Sequence, residues 1–235
     1  MKSIFHIYAT AFKALINNQK YLFKSVIIPF CIIVFLELLS SENDNYLKGF
    51  ISGLIDLLAY CYMVINTHRI IIIGSGSVSN FGIYKPTSRE ISFLAHFIGM
   101  SLLFTPFILT FLIPQLSMEI ILPCLIVMII YVSSRLSLVF PAIAIDAGWS
   151  YSDSWLATKD YKLLIFCTIG LIPVFITGIL MGLNYFLDVE IISAILSTAA
   201  TMIFVAIVSA TYQFIEKREI PSQPSTPTDT GKAPF

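Results

Sequence analysis

Runs of about twenty apolar residues recur along this chain, and they constrain its fold more than any other feature. A helix needs roughly 20 such residues to cross the hydrocarbon core of a bilayer. Spans of this kind are expected at about 22–40, 50–73, 91–113, 119–145, 162–186 and 191–214. Composition argues against a soluble core. Hydrophobic residues make up 57% of the chain and charged residues 12%, and a soluble domain carries roughly 25% charge. The formal net charge of zero points to no nucleic-acid partner.

The expected fold class is therefore an all-α membrane protein, with six transmembrane helices arranged as three hairpins and entered by interfacial amphipathic segments. Residues 1–20 read as an interfacial amphipathic helix, 21–215 as the six-helix transmembrane domain, and 216–235 as a disordered cytoplasmic tail. In the first segment Ile4, Tyr8, Ala11, Phe12 and Leu15 share one helical face, and Lys2, His6, Thr10, Lys13 and Asn17 share the other. A capping helix packed on the bundle gives the same pattern. The polar run 17–20 interrupts the apolar pattern, so the N-terminus does not read as a cleavable signal. The Gly/Ser-rich stretch 74–88 reads as a flexible connector. The tail is rich in Pro, Ser and Thr.

Charge sets the expected orientation. Twelve basic residues fall on the side of the termini, namely Lys2, Lys13, Lys20, Lys24, Arg69, Lys85, Arg89, Lys159, Lys162, Lys217, Arg218 and Lys232; only Lys48 falls on the other side. The excess marks the cytoplasmic face, so both termini are expected there.

Residues 131–162 carry the strongest local signal. Arg135 lies inside an apolar span, Pro141 follows six residues later, and a polar elbow with Trp149 and Trp155 returns the chain to the membrane. At ~1.5 Å per residue, Arg135 lies roughly 24 Å from the outer end of its span, and His68 and Arg69 roughly 27 Å along theirs. A charge at the bilayer centre costs about 2.5–3.5 kcal/mol and needs a partner or water. One reading joins His68, Arg69, Arg89 and Arg135 as a basic pocket for an anionic lipid headgroup. The other has Arg135 snorkelling, or bonding to helix-end carbonyls that Pro141 frees. Asp56 is a candidate intramembrane acid, as is Glu37. Ser152 or Asp153 is placed to cap a short helix in the elbow. Asp146, Asp153 and Asp160 are seven residues apart but read as members of a solvated loop.

No Ser/His/Asp arrangement, HExxH, P-loop or zinc spacing is present. Cys31, Cys61, Cys124 and Cys167 lie singly in apolar spans and read as packing residues. Neither a cofactor nor a metal is expected.

The segments THRIIIIG, SREISFL and YVSSRLSLVFPAIAIDAGWSYSDSWLATKDYKLLIF carry a resemblance. They resemble uncharacterised bacterial six-span membrane proteins related to the membrane domain of glycerophosphodiester phosphodiesterases. The shared marks are His68-Arg69, Arg89-Glu90, Arg135-Leu136 with Pro141, and Trp155 with Thr158. The resemblance implies a bacterial inner-membrane home and the six-span fold. It does not imply phosphodiesterase activity, because six spans leave no room for the catalytic barrel. Lys159-Asp160 stands where such proteins often carry basic residues.

The expected function is non-enzymatic, either binding anionic lipid or supporting envelope and lipid machinery. The alternative is a small-molecule or lipid transporter of flippase type, with Pro29, Pro106 and Pro173 kinking helices around a midplane site. Membrane lipids are the expected partners. A membrane-protein partner or a homo-oligomer stays open.

Overall fold

The structure is a computed structural model and describes residues 2–40, 46–105, 118–187 and 190–219. The described chain is helical, with α1 Lys2–Ser40, α2 Tyr46–Ile72, α3 Ser88–Ser101, α4 Met118–Leu136, α5 Val139–Ala144 and α6 Tyr151–Ala157. Then follow α7 Lys162–Ile165, a π-helical segment Phe166–Leu171, α8 Ile172–Leu187 and α9 Glu190–Glu219. Five stretches among the described residues are long and apolar enough to cross a membrane, at Lys2–Leu36, Gly49–Ile72, Leu122–Ala144, Lys159–Leu180 and Ile192–Lys217. The expected third span begins in α3; its Pro106 lies outside the described residues, as do the side chain of Glu37 and residues 220–235 of the expected tail.

Large apolar side chains cover much of the outer surface, and several polar residues are buried within a mostly apolar interior. Phe5, Phe175, Leu163 and Phe23 are largely exposed, while Asn66, Thr67, Ser209 and Thr211 are buried. In water this distribution would cost free energy at every exposed ring. In lipid it costs nothing, and the buried hydroxyls bond to carbonyls one turn back, as Thr67 does to Met63 and Thr211 to Ile207. The chain is an all-α membrane protein on this ground as well as on hydropathy.

The N-terminal region departs from the expected break. The polar run 17–20 does not end a helix, because α1 continues through it for 39 residues. Asn18 donates through Nδ2 to the Ala14 carbonyl and stays within the helix. The contact face is also rotated from the one expected. Ile7 and Ala11 are buried against Ile71, Ala206, Ile207 and Ala210, while Phe12 is exposed. Tyr8 donates to the Thr168 carbonyl at 2.9 Å, in the π-helical segment. The first half of α1 therefore packs on the bundle, as the capping alternative supposes.

The connector 74–88 is folded against α1 and α2, contrary to the flexible reading. Phe81 and Gly82 both have positive φ, at 70° and 69°. Asn66 donates through Nδ2 to the Gly82 carbonyl at 2.8 Å. A Cβ on Gly82 would fall 1.9 Å from the Ser25 carbonyl oxygen. Only glycine lets the backbone approach α1 so closely. The spacing of Gly and Ser signalled a turn but not the two helices it would meet.

The expected fourth span is two helices. α4 ends at Leu136 and α5 begins at Val139, with Pro141 in the first turn of α5. A proline there removes no intrahelical bond. Phe140 N–H turns back to the Ser137 carbonyl at 3.2 Å. Val139, Ile143 and Ala144 then pack with Cys61, Val64, Ile65, Phe93 and Val205, tying α5 to α2, α3 and α9.

Candidate functional site

The four basic candidates divide among three places. Among the described residues Arg69 and Arg89 share one partner, Arg135 has others, and only His68 of the four lines the cavity.

Arg69 and Arg89 meet at the end of the bundle. Both donate through Nη1 to the same oxygen of Asp146, at 3.0 and 3.2 Å. Arg69 also reaches the Ala144 carbonyl at 2.8 Å and the Ser77 carbonyl at 3.2 Å. Arg89 pairs through Nε with Glu90 at 2.8 Å. Two cations thus face two carboxylates, and the group is close to neutral. Asp146 sits at φ 62°, a left-handed position that Asp tolerates. It was read as part of a solvated loop; it is solvated, but it holds the 74–77 turn, α3 and the end of α5 together.

Glu90 anchors the start of α3. It accepts from Thr87 N–H and Thr87 Oγ1 at 2.7 and 2.6 Å, and from Tyr84 at 2.9 Å. Burial alone would raise its pKa. The bonds from Thr87, Arg89 and Tyr84 outweigh it and hold the carboxyl at about 2. Tyr84 is pushed up, first by burial and then by its bond to Glu90.

Arg135 lies apart, 2% exposed, where α4 meets α6. Its Nε donates to Thr158 Oγ1 at 2.9 Å and its Nη2 to the Trp155 carbonyl. Its guanidinium carbon is 3.6 Å from the Trp155 ring centroid and 5.9 Å from that of Tyr131. In return, Ser154 Oγ donates to the Arg135 carbonyl at 2.7 Å. The helix-end carbonyl that Arg135 caps belongs to α6 and not to the turn at Pro141. Such a cation favours a helix C-terminus. The N-cap of α6 is Ser150, with Asp153 as its reciprocal partner and not the cap itself. The hydrogen bonds from Ser150 hold the Asp153 carboxyl below its ordinary pKa.

His68 is the member that faces inward. It is 2% exposed and lines a cavity of about 870 Å³ between α2, α3, α4, α8, α9 and the π-helical segment. Tyr60, Phe93, Ile130, Ser133, Gly178 and Thr201 are also in the lining, and among the described residues none of the lining is Lys, Arg, Asp or Glu. A cavity of this size falls in the range of about 300–1,000 Å³ usual for ligand sites. The π-helical segment places Gly170 against it, and π-helical turns occur often at functional sites.

Asp56, the candidate intramembrane acid, is on an exposed face of α2 and has no hydrogen-bond partner among the described residues. It is not in the cavity lining. Residues the sequence reading passed over are Ser133, Ser134 and Ser137 of the cavity wall. Their signal was present, as hydroxyls crowded beside Arg135 in an otherwise apolar span.

The fold and this cavity define a multi-pass all-α membrane protein with a cavity that is partly open at its side and, among the described residues, lined without Lys, Arg, Asp or Glu. No family model, no curated protein and no solved structure matches the chain.

Proposed function

We propose that this is a non-enzymatic lipid-binding protein of a bacterial inner membrane, with both termini cytoplasmic, and that a lipid chain occupies the cavity. The observation that carries the reading is the chamber of about 870 Å³, apolar over most of its lining and surrounded by helices whose outer faces suit lipid. Water gains little against such a lining, whereas an acyl or isoprenoid chain meets dispersion contacts along it. The proposed binding site thus moves from the arginines, which are occupied by Asp146, Glu90, Thr158 and Trp155, to the chamber.

Gly178 offers the test, because a Cβ there would meet nothing within 4 Å and the residue lines the cavity. Gly178→Leu is expected to project into the cavity and obstruct it without moving the backbone. Mass spectrometry of lipid retained by purified protein should show a tightly held species in wild type and its loss in the variant. Equal retention by both proteins, at equal thermal stability, would overturn the reading.

Orientation rests on the basic residues, twelve against Lys48. In a protein lacking its native cysteines, Lys48→Cys should react with an impermeant maleimide on intact spheroplasts, and Lys217→Cys only after lysis.

A transport function is the second reading. It is favoured by Pro173 and the adjoining π-helical segment, both at the cavity wall, where a helix bends readily. Reconstituted vesicles that move a labelled lipid between leaflets, and stop doing so with Gly178→Leu, would select it over static binding.

A further inference from the structure

We infer that the cavity selects an uncharged lipid bearing a hydrogen-bond donor, an alcohol in particular, and discriminates against phosphate-headed and purely acceptor lipids. This rests on the lipid-binding reading above and names the class of ligand.

The inference comes from counting which protons in the chamber are already committed. Ser209 Oγ donates its one proton to the Val205 carbonyl at 2.8 Å. In the tautomer that keeps this bond, it accepts from His68 Nδ1 at 2.7 Å. Nδ1 carries the ring proton, and Nε2 of the neutral imidazole is left as a lone-pair acceptor. Nε2 has no hydrogen-bond partner among the described residues, and His68 lines the cavity. The same arithmetic applies to α4. Ser134 Oγ donates to the Tyr131 carbonyl at 2.9 Å, and Ser137 Oγ to the Ser134 carbonyl at 2.8 Å. On α9, Ser197 Oγ donates to the Ala194 carbonyl at 3.0 Å. Ser134, Ser137 and Ser197 line the chamber with these protons committed and lone pairs left over.

Ser133 also lines the cavity, but its Oγ is fully buried and is not offered to a ligand. Tyr60, Thr177 and Thr201 bring further hydroxyls to the lining, and among the described residues it holds no Lys or Arg. A phosphate brings a charge that no described residue of the lining neutralises. A hydroxyl supplies the proton that His68 Nε2 or a serine lone pair accepts, and it can accept in turn from Tyr60 or Thr201.

The test compares three probes of one chain length in wild-type protein in nanodiscs. Each carries a mid-chain diazirine, and the heads are a hydroxyl (hexadecanol), its methyl ether, and hexadecyl phosphate. Photolysis followed by peptide mapping reads adducts on residues 96–105, 125–138 and 193–208. Hexadecanol is expected to label these segments at least fivefold more than either other probe. Phosphate or ether labelling equal to that of the alcohol would overturn the inference. If Gly178→Leu still removes that labelling, the lipid-binding reading stands while the choice of ligand falls. If no probe labels these segments, or if Gly178→Leu changes nothing, both fall. The probe comparison uses unmutated protein and so does not depend on whether a variant folds.

Discussion

The Arg135 guanidinium stacks on the ring of Trp155, with its carbon 3.6 Å from the centroid, and also donates to the carbonyl of that same residue. One side chain therefore fixes both the position of α6 and the rotamer of its tryptophan. Ser154 answers with a bond to the Arg135 carbonyl. The elbow is held to α4 in both directions, without a carboxylate in contact with the guanidinium among the described residues.

Loss of this contact should loosen the elbow. Arg135→Gln removes a desolvated cation–π contact and the charge-assisted bond to the Trp155 carbonyl, at a cost of about 2–4 kcal/mol. Arg135→Lys should fall between, because an ammonium keeps the charge and loses the fork that reaches Thr158 and Trp155 together. Thermal unfolding in detergent, followed by tryptophan fluorescence, measures both. Equal stability of Arg135→Lys and wild type would show that the fork is dispensable.

Gly82→Ala should be among the most damaging single-methyl changes in the chain. The new Cβ would lie 1.9 Å from the Ser25 carbonyl oxygen, at φ +69°. Both the clash and the left-handed conformation oppose it, with a combined cost of more than about 2 kcal/mol. Gly76→Ala in the same connector meets nothing within 4 Å and serves as the control. Melting temperatures of the two variants should separate clearly.

Asp146 should matter less than its two ion pairs suggest. Its side chain is 58% exposed, and exposed pairs are worth about 0–1 kcal/mol. Asp146→Asn should therefore cost less than about 1 kcal/mol, and the loss should shrink further in high salt. Asp146→Ala adds the left-handed penalty of about 1–2 kcal/mol at φ 62°. Denaturation of the two variants at low and high salt separates charge from backbone.

Acid should weaken the start of α3. The folded pKa of Glu90, about 2, is below the ordinary glutamate range. Its contribution is then fully present above about pH 4.5 and is lost as pH falls towards 2. Glu90→Gln should lower stability near neutrality by about 1–3 kcal/mol and flatten the acid dependence between those limits. Stability measured across pH 2–7 checks it; an unchanged acid slope in the variant would assign the dependence to other groups.

Apolar runs alone determined that this is an all-α membrane protein, since a bilayer admits helical backbone whose polar groups are satisfied along the same segment. The sequence also singled out Arg135, His68, Arg69 and Arg89, because charged and ionisable groups in apolar spans need partners. Which partners they take was not legible. Arg69 finds Asp146 across 77 positions, and His68 finds Ser209 across 141. No local period records such meetings. The continuous α1 escaped a reading based on polarity, because helix formation depends on backbone bonds that Asn18 does not disturb. The glycine contact at Ser25 and the chamber between α2, α4 and α9 are properties of how helices approach one another. Local pattern specifies which face of a helix is apolar; packing decides where two such faces leave a space.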